Sequence, residues 1–311
     1  MAETQTQGAP TATPESEPAV LVAVDNPNHV GQLVRTAAAL AAVEDARVEI
    51  VTVAVKPADS PFSVYTDEAI VERFSGNRKQ LLETATSVTP DGIDVSSRIV
   101  VGRSVSEGVL EAVGEVNPNA LVVGWFERRG RTDSVLGTTV DRLVERAPCD
   151  LYVERIGYEA DGVESILLPV AGGPHVRPAA AAAKAIAIQS GATVTTVSVV
   201  GPDVDADTAR ESAREAAATI EAINGADVDV ETAVRTTDPN GSIVETIAAM
   251  ADDHDVVVFG ATRKGTLRRR VVGSIPQAVV RKTDRTVILA RSGEGVAGSI
   301  IDRLGRLWSP R

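Results

Sequence analysis

The sequence has few aromatic residues, histidines and cysteines, and it lacks long apolar runs. Of its 311 residues, only 3% are aromatic, three are histidine and one is cysteine. Because the single Cys149 cannot form an internal disulfide, nothing indicates an oxidising compartment. No run approaches the roughly eighteen apolar residues of a membrane span. Residues 1–18 lack the basic start and apolar core of a signal peptide, so they are predicted to be a disordered tail. These absences favour a soluble, cytoplasmic protein.

Lysine is also scarce, with five lysines against twenty-six arginines, and acids outnumber bases 43 to 31. The resulting net charge of −12 argues against general nucleic-acid binding, which requires a basic face. An acidic, lysine-poor chain that is rich in alanine and valine resembles proteins from salt-accumulating halophiles. A local basic pocket is compatible with this composition.

Short apolar runs alternate with amphipathic stretches along the whole chain. In the first half, strands are predicted at 19–25, 48–55, 97–101, 120–124 and 150–155, and helices at 30–44, 66–88, 105–116 and 138–147. Such alternation is typical of a parallel, doubly wound sheet. After a linker at 157–163 the same pattern begins again.

The second half repeats the first. Val20–Val24 corresponds to Ile166–Val170, and Gly137-Thr138 corresponds to Gly273-Ser274. Pro178 is expected to open an alanine-rich helix. The predicted divisions are a tail at 1–18, a first domain at 19–156, a second domain at 163–291 and an amphipathic tail at 292–311.

The segment from Gly260 to Pro276 is the main candidate site. It leaves a buried strand and re-enters at a helix start, with Ser274 expected as the N-cap. Its glycines allow close approach of a ligand to the backbone, and free N–H groups at a helix start suit an anion. Arg263, Lys264 and residues 268–270 add positive charge, so a phosphate group is predicted. The alternative is a tight turn whose glycines serve packing only.

These features resemble tandem universal stress proteins, over residues 19–291. Adenine-nucleotide-binding members of that family carry Gly-x2-Gly-x9-Gly-[Ser/Thr] after the fourth strand and an aspartate after the first. Here Gly124 and Gly137, and Gly260 and Gly273, keep the spacing of the outer glycines, and Asp25 matches the aspartate. The resemblance implies two Rossmann-like domains of the adenine nucleotide alpha hydrolase type. Each would have its own five-stranded parallel sheet, and the two would pack as an intramolecular pseudo-dimer. Asp150–Glu154 would pair with Thr286–Ala290.

The two halves depart from the family pattern in different ways. The middle glycine is replaced by Glu127 in the first half and Arg263 in the second, and Ala171 replaces the aspartate in the second half. Bulky Trp125 and Phe126 are expected to obstruct phosphates in the first half, so the second half is predicted to bind. The resemblance places the second-half site at Val170, Val199, Gly260, Thr262, Arg263, Lys264, Gly265, Gly273, Ser274 and Ile275. The secondary site in the first half comprises Asp25, Gly124, Gly130, Gly137 and Thr138.

The resemblance implies ATP or AMP as the ligand of a non-catalytic stress-response module. The alternatives are a ligand-free scaffold and a slow ATPase or phosphotransferase. The order Lys264-Gly265-Thr266 excludes a P-loop, which needs Gly-Lys-Ser/Thr. His29, His175 and His254 are dispersed, so no metal site is predicted.

Residues 299–311 place apolar side chains on one helical face and carry three arginines. This segment is expected to dock on its own domain. The alternative is contact with another protein or an anionic membrane surface. A further homodimer is also compatible with the sequence.

The acidic composition predicts that stability rises with salt, because screening weakens repulsion among the excess carboxylates. Thermal melts from low to molar potassium chloride should show an increasing melting temperature. A melting temperature that stays flat or falls over that range would contradict the halophilic interpretation.

Overall fold

The computed structural model describes residues 17–56, 65–74, 76–125, 136–155, 162–173, 175–201, 204–261 and 274–293. The first half contains β1 (Ala19–Ala23), α1 (Val30–Glu44), β2 (Arg47–Val55), α2 (Asp67–Phe74), α3 (Arg78–Ser87), β3 (Val95–Gly102), α4 (Val105–Val116), β4 (Ala120–Trp125), α5 (Thr138–Arg146) and β5 (Asp150–Arg155). The second half contains β6 (Ser165–Pro169), α6 (Val176–Ser190), β7 (Thr193–Val200), α7 (Ala206–Ala222), β8 (Val230–Thr236), α8 (Ile243–Asp252), β9 (Val256–Gly260), α9 (Ser274–Val280) and β10 (Thr286–Arg291). None of the helices among these residues combines the length and apolar character needed to cross a membrane.

All ten of these strands belong to one sheet, in the order β3-β2-β1-β4-β5-β10-β9-β6-β7-β8. Neighbouring strands run parallel within each half, which confirms the predicted doubly wound α/β class. The predicted pairing of the two last strands is confirmed as well, and it is antiparallel. The expectation of two separate five-stranded sheets is wrong. Once β5 and β10 exchange backbone hydrogen bonds, neither half keeps an unpaired edge there, so the sheets merge.

The sheet lies between two layers of helices. Successive strand residues point to opposite faces. Val20 and Val22 therefore belong to the apolar cluster that includes residues of α1, α3, α6 and α7, whereas Leu21 belongs to the cluster that includes residues of α4, α5, α8 and α9. Each apolar cluster runs through both halves without interruption. Burial on both faces explains why central strands such as β1 and β4 are nearly continuous apolar runs, whereas the edge strands β3 and β8 carry exposed polar residues.

Local hydrogen bonds set several helix starts. The Ser104 hydroxyl accepts from the Glu107 backbone N–H at 3.2 Å, and Ser242 with Glu245 forms a reciprocal capping box. The Asp205 carboxylate accepts from two backbone N–H groups at the start of α7. These side chains satisfy N–H groups that have no partner within the helix.

Three predicted helix boundaries need correction. The single helix expected at 66–88 is two helices, α2 and α3, and Gly76 between them has a φ of +51°, a conformation that favours glycine. Helix α6 begins at Val176, two residues before Pro178, because proline fits in a first turn whose N–H groups need no helical acceptor. Ser274 is the first residue of α9, so the predicted N-cap is one position late.

Two buried arginines cross the junction in opposite directions. Arg155 Nη1 donates to the Thr283 carbonyl at 2.5 Å, and Arg291 Nη2 donates to the Ala147 carbonyl at 2.7 Å. Arg155 and Arg291 end corresponding strands, and Thr283 and Ala147 are also corresponding residues in the repeat. The two bonds are therefore one interaction made twice. Each arginine is only 2% exposed, so its donors are directed to protein carbonyls instead of water.

Replacing Arg291 with methionine should lower the free energy of unfolding by about 1–3 kcal/mol, because the buried carbonyls of Ala147 and Cys149 lose a charged donor. The exposed Arg281→Met is the matched control, with an expected change under about 0.5 kcal/mol. Urea denaturation of both variants measures the difference. Equal stability of the two variants would show that the arginine adds nothing to the junction.

Candidate ligand site at the carboxyl edge of the sheet

The sheet has two points at which strand order reverses, between β1 and β4 and between β6 and β9. Open α/β sheets bind ligands at the carboxyl ends of strands beside such a point. In the second half this edge carries Gly260 at the end of β9, the loop 171–173 after β6 and the start of α9. The structure therefore places parts of the predicted segment where a ligand is expected.

Gly260 has a packing role that is independent of any ligand. A Cβ built on this residue would lie 2.7 Å from the carbonyl oxygen of His175 and 3.3 Å from its Cβ, which is too close for any larger residue. His175 is the N-cap residue of α6, and its Nδ1 accepts a hydrogen bond from the Ser292 backbone N–H at 3.3 Å. The close approach of β9 to α6 is enough to explain glycine at 260.

In the loop after β6, the sequence analysis singled out Ala171 but did not include Gly172 and Gly173 in the site. Gly172 and Gly173 have φ values of +73° and +98°, and a Cβ on Gly173 would contact nothing within 4 Å. Ala171 is exposed, whereas the corresponding residue of the first half is the exposed Asp25. Among the described residues, the loop 171–173 of the second half thus presents uncharged and partly open backbone at this edge. The consecutive Gly172-Gly173 pair was the available sequence signal.

The predicted second-half residues are only partly brought together. Val170 and Val199 are both buried near the carboxyl ends of adjacent strands, yet their side chains enter different clusters on opposite faces of the sheet. They do not form the two walls of one apolar slot. Ser274 is exposed and Ile275 is half-buried at the start of α9. Five predicted residues lie outside the described residues, namely Thr262, Arg263, Lys264, Gly265 and Gly273.

In the first half the equivalent edge contains Gly124 at the end of β4, followed further along by Gly137 and an exposed Thr138 at the start of α5. Gly137 has a φ of +85°, so backbone conformation alone favours glycine at that position. Gly130 lies outside the described residues.

The predicted steric block by Trp125 is wrong. Trp125 is 1% exposed, belongs to β4 and packs in the core with Leu136 and Val140. Strand alternation turns residues 121, 123 and 125 towards the same helical layer, which places the indole in the core. Phe126 and Glu127 lie outside the described residues, so their part in the prediction stays untested.

Metal and nucleophile chemistry has little support in the described part of the chain. No cluster of three or more His, Cys, Asp or Glu side chains occurs there that could hold a metal ion. Burial raises the pKa of the Cys149 thiol to about 12, which keeps it protonated and unreactive at neutral pH.

Comparison with known proteins identifies the family. A profile of the universal stress protein family matches residues 18–155 and again residues 162–291, which together make up most of the chain. The chain belongs to the universal stress protein family.

Individual relatives of this tandem universal stress protein are distant. A universal stress protein from Mycobacterium tuberculosis (strain ATCC 25618 / H37Rv) is 38% identical over 63 residues, which is 20% of this chain and 22% of that relative. The match therefore spans less than a quarter of the curated relative's length.

Solved structures show the same fold at low identity. A universal stress protein from Archaeoglobus fulgidus DSM 4304 has a TM-score of 0.59 at 16% identity, covering 89% of this chain and 97% of its own. The cytoplasmic domain of a prokaryotic cation chloride cotransporter has a TM-score of 0.52 at 12% identity, covering 88% and 95%. These likenesses show the fold alone.

This universal stress protein chain also buries an acid at the junction of its halves. Glu154 in β5 is 3% exposed; its Oε1 accepts from Gln32 Nε2 at 2.8 Å and its Oε2 from Thr36 Oγ1 at 2.7 Å. Burial raises the pKa of the carboxyl to about 7, against the lowering effect of these two hydrogen bonds and of the Arg35 charge. Glu154 thus titrates near neutrality inside the protein.

The elevated pKa of Glu154 predicts a specific pH dependence. The folded protein retains this proton up to about pH 7, whereas the unfolded chain loses it near the ordinary value of 4.5. The contribution of the protonated Glu154 to the free energy of unfolding is therefore fully present below pH 4.5 and is lost as pH rises through 7. Glu154→Gln removes this titration, so the variant should gain stability relative to the wild type, by up to about 3 kcal/mol, between about pH 5 and pH 8. Urea denaturation at fixed salt measures both proteins, and parallel pH profiles would contradict the elevated pKa.

Proposed function

We propose that residues 163–291 bind an adenine nucleotide, ATP or AMP, at the carboxyl edge of the sheet, and that the chain acts as a regulatory module without turning the nucleotide over. The observation that carries the proposal is the open, uncharged loop Ala171–Gly173 beside Gly260 at the β6/β9 switch point. Membership of the universal stress protein family supports a nucleotide as the ligand class, because the family's binding members carry their glycine motif at this place.

The phosphates would contact the backbone around Gly260, Gly265, Gly273 and Ser274. Ser274 and Ile275 begin α9, and the N–H groups of a helix's first turn have no acceptor within the helix, which suits an anion. Arg263 and Lys264 supply the nearest positive charge in the sequence, and the first half has the carboxylate of Asp25 where the second half has Ala171. Removal of that carboxylate lowers electrostatic repulsion of a phosphate.

The adenine would lie at the carboxyl ends of β6 and β7, near the backbone of Val170 and Val199. Because these two side chains point to opposite faces, contact with both would involve strand ends rather than a shared apolar slot. The first-half residues Asp25, Gly124, Gly130, Gly137 and Thr138 are proposed as the secondary site.

The proposed cellular location and partners are based on the amino-acid composition and on the C-terminal residues 299–311. The proposal places the protein in the cytoplasm of a halophile, as an intramolecular pseudo-dimer of two domains that can also form a homodimer. Residues 299–311 would dock on the protein itself or contact a protein or membrane surface.

Ser274→Ala and Thr138→Ala form a matched pair, since each residue is exposed and begins the last helix of its half. Loss of a charge-assisted hydrogen bond at Ser274 should weaken nucleotide affinity roughly ten- to a hundredfold, and Thr138→Ala should leave it nearly unchanged. Isothermal titration calorimetry with ATP and AMP in molar potassium chloride gives both affinities.

Each other outcome selects a different conclusion. A loss confined to Thr138→Ala would move the site to the first half. Absence of binding by the wild type would favour the ligand-free scaffold. Sustained, magnesium-dependent turnover would identify a slow ATPase or phosphotransferase.

A further inference from the structure

A cavity of about 650 Å³ lies where the two halves meet, between helices α1 and α6 and above the junction strands. Its apolar lining includes Ile186, Val256 and Ile288, and its polar lining includes Gln32, Thr36 and Glu154. Val256 begins β9, so the cavity lies at the amino edge of the second-half sheet, at the opposite end of β9 from Gly260. Its volume is within the usual range of small-molecule sites, and domain interfaces are common places for them.

The polar lining is rich in hydrogen-bond acceptors. Gln32 Nε2 donates to Glu154 Oε1 at 2.8 Å and to the Arg155 carbonyl at 2.9 Å, which fixes the orientation of the amide. Gln32 Oε1 then has no hydrogen-bond donor among the described residues, although only 4% of the Gln32 surface is exposed. Each oxygen of Glu154 accepts one side-chain hydrogen bond and keeps further lone pairs.

The repeat shows that the fold does not require these polar groups. Gln32, Thr36 and Glu154 correspond to Pro178, Ala182 and Ala290 in the second half, at the same places on α6 and β10. All three counterparts are buried. Small apolar residues thus perform the packing role, whereas a buried carboxylate is energetically unfavourable. The asymmetry points to a role for the acidic set other than packing.

We propose that this cavity binds a small molecule with a primary ammonium group and a short apolar body. An ammonium provides three donors and no acceptor, which complements the Glu154 carboxylate and Gln32 Oε1. Its charge also offsets that of the buried carboxylate, and the body would lie against Ile186, Val256 and Ile288. Among the described lining residues, Arg35 is the only other charged group. Its positive charge acts on Glu154 as well, but it is exposed, so water screens its interactions more than those of an ammonium inside the cavity.

Binding should depend on pH, because the ammonium pairs with the ionised form of Glu154. Affinity is expected to rise between about pH 6 and pH 8 as the carboxyl, whose pKa is about 7, loses its proton. The remaining lining of α1, α6 and β10 supplies no further group that titrates in this range among the described residues.

The probe is n-butylammonium, compared with n-butanol as its neutral counterpart, in the full-length protein without nucleotide. An NMR titration that follows the methyl groups of Ile186, Val256 and Ile288 reports binding at this cavity. The expected result is saturable shifts with butylammonium, at least tenfold tighter than with butanol and weaker at pH 6 than at pH 8. Equal response to both probes, or none at these methyl groups, would overturn the proposal.

Variants test the same claim by a second route. Glu154→Ala reproduces the residue of the other half and should weaken butylammonium binding at least tenfold, while Glu44→Gln, on the same helix as Gln32, should not. A melting curve establishes whether each variant is folded. If a variant does not fold, the wild-type titrations with the two probes at pH 6 and pH 8 still test the proposal. Unchanged binding by folded Glu154→Ala would refute the assignment. Failure of the nucleotide proposal would leave this result unaffected, since the two sites share no residue.

Discussion

The antiparallel pairing of β5 with β10 is the contact on which the rest of the structure depends. It joins Val153 to Leu289 and Tyr152 to Ala290 in a ladder that turns two five-stranded halves into one ten-stranded sheet. Because the strands run in opposite directions there, the carboxyl end of β5 meets the amino end of β10. That arrangement brings α1 against α6, lets the two crossing arginines reach carbonyls of the opposite half and encloses the acidic cavity.

Duplication explains the architecture, and divergence between the copies explains the candidate sites. A corresponding pair that packs alike, such as Arg155 and Arg291, serves the fold in both halves. Where two corresponding residues of the halves differ, packing alone does not determine which residue occupies the position. Asp25 against Ala171 changes the charge at the carboxyl edge, and Glu154 against Ala290 places an acid in only one side of the junction. Both proposals rest on such differences within a single chain.

Apolar periodicity and helix caps are local features, so they were sufficient to predict the order of elements and the repeat. The pairing of the last strands was predicted from the family resemblance, because no local pattern specifies it. The sequence was insufficient where the outcome depends on which face a side chain occupies. Trp125 was expected in the loop, but it is the last residue of a strand whose alternation turns it into the core. The resemblance placed the adenine near Val170 and Val199, and strand alternation turns these two side chains to opposite faces of the sheet. The cavity forms only when residues distant in sequence meet at the junction, so no local sequence pattern predicts it.

The junction is a structural element shared by both halves, and hydrogen–deuterium exchange followed by mass spectrometry in increasing urea tests this most directly. If β5 and β10 belong to one cooperative sheet, peptides containing them should lose protection together, with the same dependence on urea. The central strands β4 and β9 should follow at the same concentration. Loss of protection in one half while the other remains protected would contradict the account, because it would mean that the two sheets are stable independently of the pairing between them.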